Sequence, residues 1–425
     1  MSKCNEKWQE TYVKLSHEER RKHVMNAETL LKEAEQLQPS LQACRRDIHQ
    51  HPEIGFDLSR TKEKVRAELI RLGYEPQDCG KCGLVALAGG KKPGRTILIR
   101  ADMDALPIKE EADVEFASTV DGKMHGCGHD MHTAMLLGAA ALLKKHEDKL
   151  EGTVKLMFQP AEEIFQGSDD MISAGVLENP HVDAAYMIHV VAGMPVPAGC
   201  LMVPPGGTGM AGCQQYRIIV KGKGGHGARP EVSIDPITAA AHIHIALQEI
   251  NSRELNPSEF GVFTTGLFKG GEASNIIPDT AEMRGTIRTG NVETNEYIKK
   301  RMEEIATGVG HAFRCEVEVE FFDFCPPMLA DDELSVCAEK YGQQLLGQGC
   351  FVMKDNPKVG GGSEDFAFVA AKVPAVGMFL SAGNSNEGYI YSQHHPMVRF
   401  DDSVLYRGSA SLAWLSYRWL QDHHA

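Results

Sequence analysis

The chain has 425 residues, of which 42% are hydrophobic and 24% charged, and a formal net charge of −14. That composition fits a globular protein, and the length exceeds one ordinary core, so two domains are expected. The acidic balance argues against nucleic acid or an anionic membrane as a partner, while a local pocket can still take a small anionic substrate.

No stretch approaches the roughly 18 uninterrupted apolar residues of a membrane span. The Lys- and Glu-rich start lacks the apolar segment of a secretory signal. Eleven cysteines are scattered without a framework, which points to a reducing compartment and a cytoplasmic location. Cys79 and Cys82 form a lone CxxC pair. Redox or zinc use stands beside the plainer reading of two thiols in a turn.

Residues 1–38 place Leu30, Leu31, Ala34 and Leu37 at helical spacing. This predicts one or two amphipathic helices with a packing or oligomer role. A helix ends near His51 and Pro52, and another runs from Thr61 to Leu72 and closes at Gly73. Leu84–Ala88 and Thr96–Ala101 read as short strands. The second leads into Asp102 and Asp104, and acids past the end of a buried strand are placed for a site. Capping of a turn is their other reading.

Met124 to His132 holds Cys127, His129 and two further histidines in a turn that enters an apolar helix. Glycines 126 and 128 let the backbone turn tightly. Such a turn can aim a thiolate and imidazoles at one ion. Gly152–Gln159 reads as a strand ending in Glu162 and Glu163, and Asp183–His189 as a strand ending in a histidine. From about residue 212 the order becomes βαββαβ, a ferredoxin-like unit able to bury its own core. Its strands are expected at Gln214–Lys221, Phe260–Phe268, Ala281–Arg288 and Cys315–Phe322, with helices at Asp235–Asn251 and Val292–Phe313. After Pro327 the α/β pattern resumes. It includes a Gly-rich turn at Gly360–Phe366, a strand at Ala375–Leu380, the loop with His394 and His395, and a last helix from Ser403 to Gln421. The Gly-rich turn lacks the ending of a phosphate loop, which argues against nucleotide binding.

Cys127, His129, Glu163, His189 and His394 offer five ligands of mixed S, N and O type. Thiolate and imidazole suit zinc or another late ion, and the carboxylate tolerates manganese or cobalt. A bridging group could hold two ions about 3.5–4 Å apart, the spacing of two-metal hydrolases. Glu162, beside a ligand but not needed as one, is the natural general base.

These residues carry a resemblance to a known family. The runs Arg45–Phe56, Arg100–Pro107, Met124–His132, Gln159–Glu163, Gly225–Ala228, Ser274–Pro278 and Gly362–Phe366 resemble the M20 metallopeptidase family. Within it they are similar to the amidohydrolase branch of N-acyl amino acid, hippurate and auxin-conjugate hydrolases. The likeness covers about residues 41–420. It implies a discontinuous α/β/α catalytic domain with a mixed sheet (39–211 and 325–425). Into this is inserted a ferredoxin-like lid and dimerisation domain (212–324), and residues 1–38 form a helical extension.

It also implies two divalent ions (Zn, Mn, Co or Ni) on Cys127, His129, Glu163, His189 and His394, with Glu162 as base and Asp104 among the catalytic acids. His226 matches a lid histidine that holds the oxyanion, reaching across a homodimer in related enzymes. Asn275 and Arg288 match lid positions suited to a substrate carboxylate, with a surface ion pair as the other reading for Arg288. The family's usual His–small polar–Pro motif here reads His394-His395-Pro396, so His395 competes with His394 as ligand. The expected reaction is hydrolysis of the amide bond of a small N-acyl amino acid. A dipeptidase or carboxypeptidase is the alternative, and a non-catalytic metal or small-molecule binding protein the more distant one.

Overall fold

Residues 25–353 and 362–423 are described in this computed structural model. Residues 1–24 of the helical extension expected over residues 1–38 lie outside them. Helix α1 (Ala27–His49) starts at Asn26, whose side chain accepts a hydrogen bond from the Thr29 amide. It buries Leu30, Ala34, Leu41 and Ile48 and continues through Pro39, so the boundary drawn at residue 38 falls inside one helix. Packing against three other helices supports the turn that a mid-helix proline would weaken.

The chain then forms α2 (Ser59–Arg71), β1 (Gln77–Cys79), β2 (Gly83–Gly89), β3 (Thr96–Asp102), α3 (His129–Lys145), β4 (Thr153–Gln159), α4 (Gly167–Ser173), β5 (Ala184–Val191), β6 (Leu201–Val203) and β7 (Gly207–Met210). A second group follows: β8 (Gly212–Lys221), β9 (Gly225–His226), α5 (Pro236–Glu249), β10 (Gly261–Gly270), β11 (Ile276–Ile277), β12 (Thr280–Thr289), α6 (Val292–Ala312) and β13 (Glu316–Cys325). The chain closes with β14 (Met328–Ala330), α7 (Asp332–Leu346), β15 (Cys350–Val352), α8 (Ala367–Ala370), β16 (Ala375–Ser381) and α9 (Leu405–Asp422).

The main sheet has eight strands in the order β1-β2-β4-β3-β5-β16-β6-β15. It is mixed: β4, β3, β5 and β16 run parallel to one another, while β1–β2, β2–β4 and β16–β6 are antiparallel. Strands β3 and β4 are buried along their whole length, as expected of strands covered on both faces. Alternate residues feed two cores. Ile97, Ile99, Leu156 and Tyr186 face the side of α1, α3 and α9, whereas Leu98, Met157, Ala185 and Met187 face Phe366 and Val373. Because β16 lies between β5 and β6, the sheet closes only when the last part of the chain joins the first.

Strands β8, β10, β12 and β13 make a separate antiparallel sheet in the order β10-β12-β8-β13. Helices α5 and α6 cover it through a third core that includes Tyr216, Ile218, Ile243, Leu247, Met283, Ile298 and Met302. Among the described residues, no helix is long and apolar enough to cross a membrane.

Candidate metal centre

The four parallel strands end at one edge of the main sheet, where α/β proteins place their ligands. There β3 ends in Asp102, β4 runs into the turn of Glu162 and Glu163, β5 carries His189, and β16 leads into the loop of His394. Helix α3 opens at the same edge with His129. Its preceding residue, Gly128, has φ +89°, and a Cβ there would stand 2.3 Å from a Val190 methyl. Only glycine lets this turn press against β5.

The five expected donors come together. The ligand atoms of Cys127, His129 and His189 lie within 4.8 Å of one another, and so do those of Cys127, Glu163 and His394. The Cys127 Sγ is 3.4 Å from His189 Nε2, and Glu163 Oε2 is 3.5 Å from His394 Nε2. His129 Nε2 stands 3.8 Å from both Glu162 Oε2 and Glu163 Oε1.

The hydrogen bonds around these rings leave lone pairs aimed inward. His129 Nδ1 donates to the Asp104 carbonyl at 2.8 Å, and His189 Nδ1 donates to the Val190 carbonyl at 2.6 Å. Each Nε2 is therefore unprotonated in the neutral ring, the arrangement that metal-ligating histidines show. His129 Nε2 and Glu163 Oε1 are buried without a hydrogen-bond partner. Burial pushes the Glu163 carboxyl up to about 7 and holds the Cys127 thiol well above its ordinary value. Burial lowers His189 well below the usual imidazole range and lowers His394 as well. Converging buried donors of S, N and O type, with His129 Nε2 and Glu163 Oε1 orphaned, fit divalent cations.

Two neighbouring clusters have the residue types of a metal site but lack its free lone pairs. His132 Nδ1 donates to Asp102 Oδ1 at 2.6 Å, while its Nε2 accepts from the Val190 amide at 2.8 Å. Both ring nitrogens are used. Glu162, Glu364 and Asp365 also converge, but Arg100 is the cation there, 2.8 Å from Glu364 Oε1 and 2.9 Å from Asp365 Oδ1.

Glu162 sits in a turn with two left-handed residues, Ala161 at φ +56° and Phe165 at φ +54°. Such strain persists where surrounding contacts over-determine it. Those contacts include Asp104, whose carboxylate accepts the amides of Glu162 at 3.0 Å and Glu163 at 3.2 Å. Asp104 thus supports the turn. Burial, with the charges of Glu364, Glu163 and Asp365, raises the Glu162 pKa well above its ordinary value.

His394, also left-handed at φ +65°, has its amide bonded to the Gly126 carbonyl at 2.9 Å. His395 turns away and stacks on Tyr391 at 4.1 Å. Of the two, His394 is the one that reaches the cluster.

His226, Asn275 and Arg288 lie on the second sheet's unit. His226 and Asn275 are exposed on adjoining segments, joined by the Gly227 amide to the Asn275 carbonyl at 2.8 Å. Arg288 is half-buried beside Cys213 with its Nη1 unpartnered. Among the described residues, no hydrogen bond or ion pair joins these three to the five donors. Sequence reasoning missed Arg100, Gln159, His132, Glu364 and Asp365. An arginine inside a wholly buried strand was the available signal for the first.

Residues 98–416 match the sequence model of peptidase family M20/M25/M40. The chain belongs to that family. It is 36% identical over 374 residues to N-acetylcysteine deacetylase of Bacillus subtilis, covering 88% of this chain and 94% of the relative. It is 37% identical over 382 residues to IAA-amino acid hydrolase ILR1-like 4 of Arabidopsis thaliana, covering 88% and 84%. The crystal structure of the Bacillus subtilis YXEP protein, described as a dinuclear metal binding peptidase from the M20 family, superposes with a TM-score of 0.76 at 34% identity. That match covers 91% of this chain and 99% of the other. The chain is a metal-dependent amidohydrolase of the amidohydrolase branch.

Proposed function

We propose that this M20 amidohydrolase cleaves N-acyl amino acids, with two divalent ions held by Cys127, His129, Glu163, His189 and His394 and with Glu162 as general base. The observation that carries this reading is a buried carboxylate, Glu162, beside a converging donor set in which His129 Nε2 and Glu163 Oε1 have no hydrogen-bond partner. Zinc, manganese, cobalt and nickel all suit the mixed donors. When bound, such ions polarise an amide carbonyl and acidify water toward a pKa of roughly 7.

Glu162 accepts one proton from the attacking water as the oxygen adds to the carbonyl carbon. It then delivers that proton to the amide nitrogen as the C–N bond breaks, leaving a carboxylic acid and a free amino acid. Asp104 keeps the Glu162–Glu163 turn in place from behind.

The second sheet and its two helices follow the βαββαβ order, and we assign them as a ferredoxin-like lid over residues 212–324, inserted between catalytic segments 39–211 and 325–425. In this reading His226 donates to the developing oxyanion, and Asn275 and Arg288 grip the amino-acid carboxylate. The permanently charged Arg288 guanidinium, whose Nη1 has no hydrogen-bond partner, suits that task. Lid closure or a second subunit must bring them to the centre. Strand β10 is an open edge exposing Val262, Leu267 and Phe268, and Ile245 of α5 is 67% exposed, which supports a homodimer through this unit. Among the described residues the cysteines are free thiols, which favours the cytoplasm.

The test is release of free amino acid from a panel of N-acyl amino acids and dipeptides after metal stripping and reloading with Zn²⁺, Mn²⁺, Co²⁺ or Ni²⁺. Metal-dependent release from the acylated compounds is expected, and release from dipeptides alone would replace this reading with a peptidase. Glu162→Gln is expected to keep its metals and lose about 10²–10⁴-fold in kcat. Wild-type turnover in that variant would remove Glu162 from the mechanism.

A further inference from the structure

We infer that Arg100, Glu364 and Asp365 form a positioning device for Glu162, fixing which of its carboxylate oxygens faces the reacting water. The inference rests on the reading of Glu162 as the base.

The cluster leaves almost no freedom. The Arg100 side chain is 1% exposed, and its donors point in every available direction. Its Nε donates to Gln159 Oε1 at 2.8 Å, and its Nη1 to Asp102 Oδ2 at 2.6 Å and Glu364 Oε2 at 3.2 Å. Its Nη2 donates to Glu364 Oε1 at 2.8 Å and Asp365 Oδ1 at 2.9 Å. Asp365 is gripped further by Gln159 Nε2 at 2.6 Å and by the Ser168 amide at 2.9 Å. With side chain and neighbour locked, the Asp365 amide points at Glu162 Oε1, 3.3 Å away. Glu162 Oε2 is left facing the donors, 3.8 Å from His129 Nε2.

Stability does not account for this arrangement. One guanidinium faces three buried carboxylates, and a buried ion cluster gains little over well-packed apolar residues of the same volume. What such a cluster does supply is a single geometry. Its members come from β3, from β4 and from the segment after the second sheet, so the base acquires its orientation only when both parts of the main sheet have joined.

The experiment is a double-mutant cycle on the metal-loaded, full-length enzyme, using the N-acyl amino acid that it turns over fastest. Asp365→Asn and Glu364→Gln are each made in the wild type and in Glu162→Asp, which keeps a carboxylate but draws it back beyond reach of the Asp365 amide. In the wild type, kcat is expected to fall about 10–100-fold, as misplacement of a reacting group does. KM should stay within about twofold, with metal content and melting temperature kept. In Glu162→Asp the same changes are expected to cost less than about twofold, because their effect runs through that side chain. Losses that multiply in full in Glu162→Asp, or an Asp365→Asn enzyme with wild-type kcat, overturn the inference. If Asp365→Asn does not fold, Glu364→Gln carries the cycle. Failure of both to fold makes the cluster a folding requirement and overturns the inference too. Wild-type turnover in Glu162→Gln would instead overturn the base itself, so the two failures are distinct.

Discussion

His129 and His132 stand one helical turn apart at the start of α3, yet their second nitrogens separate their roles. His129 spends Nδ1 on the Asp104 carbonyl and keeps Nε2 free, whereas His132 spends both on Asp102 and the Val190 amide. His129→Ala is therefore expected to lose bound metal, measured by elemental analysis after dialysis. His132→Gln is expected to keep both ions and to lose about 1–3 kcal/mol of stability from the unpaired groups left behind. Equal metal loss in the two variants would contradict this division. His226 belongs to the same scale. Removing one oxyanion donor costs about 10²–10³ in kcat, so His226→Ala should show that loss with dimers intact. An unchanged kcat ends that assignment.

At the scale of elements, the first helix is tied to the core helix by Glu33. Its carboxylate meets His146 Nε2 at 2.6 Å and Lys145 Nζ at 2.9 Å, joining α1 to the end of α3. Burial alone would raise the Glu33 pKa, but the hydrogen bonds from His146 and Lys145 outweigh it and hold the pKa below 4.5. A carboxyl whose pKa is lower folded than unfolded stabilises above the unfolded value and loses that contribution as pH falls through the folded one. Between neutral pH and 4.5 the contact is thus expected to hold, and Glu33→Gln should narrow the stability difference from wild type only below 4.5. The contact is worth about 0.5 kcal/mol, the scale of a solvent-screened pair. Denaturant midpoints across that range check it, and a gap that widens with acid would reverse the assignment. The strands that sequence patterns missed, β1, β6, β7, β9, β11, β14 and β15, have only two to four residues each, too few for an alternation to register.

Across the whole molecule, His226, Asn275 and Arg288 sit on a unit with its own core, without bonds to the donors at the sheet edge. Closure of that unit is expected to shrink the radius of gyration when a tight inhibitor is added, measured by solution scattering. Identical profiles would leave a second subunit as the route by which these residues arrive. The long elements, the βαββαβ order and the candidate donors, with His394 and His395 both open, were legible in the sequence alone, beside Glu162 as the proposed base. These announce themselves by periodicity, by turn residues and by reactive side chains at strand ends. The tertiary structure decided which histidines keep a free nitrogen, that His394 rather than His395 reaches the cluster, and that α1 runs unbroken through Pro39. It also brought Arg100 to Glu364 and Asp365, 264 and 265 residues along the chain. Hydrogen-bond partners and ring orientation depend on distances in space, and no spacing along the chain encodes them.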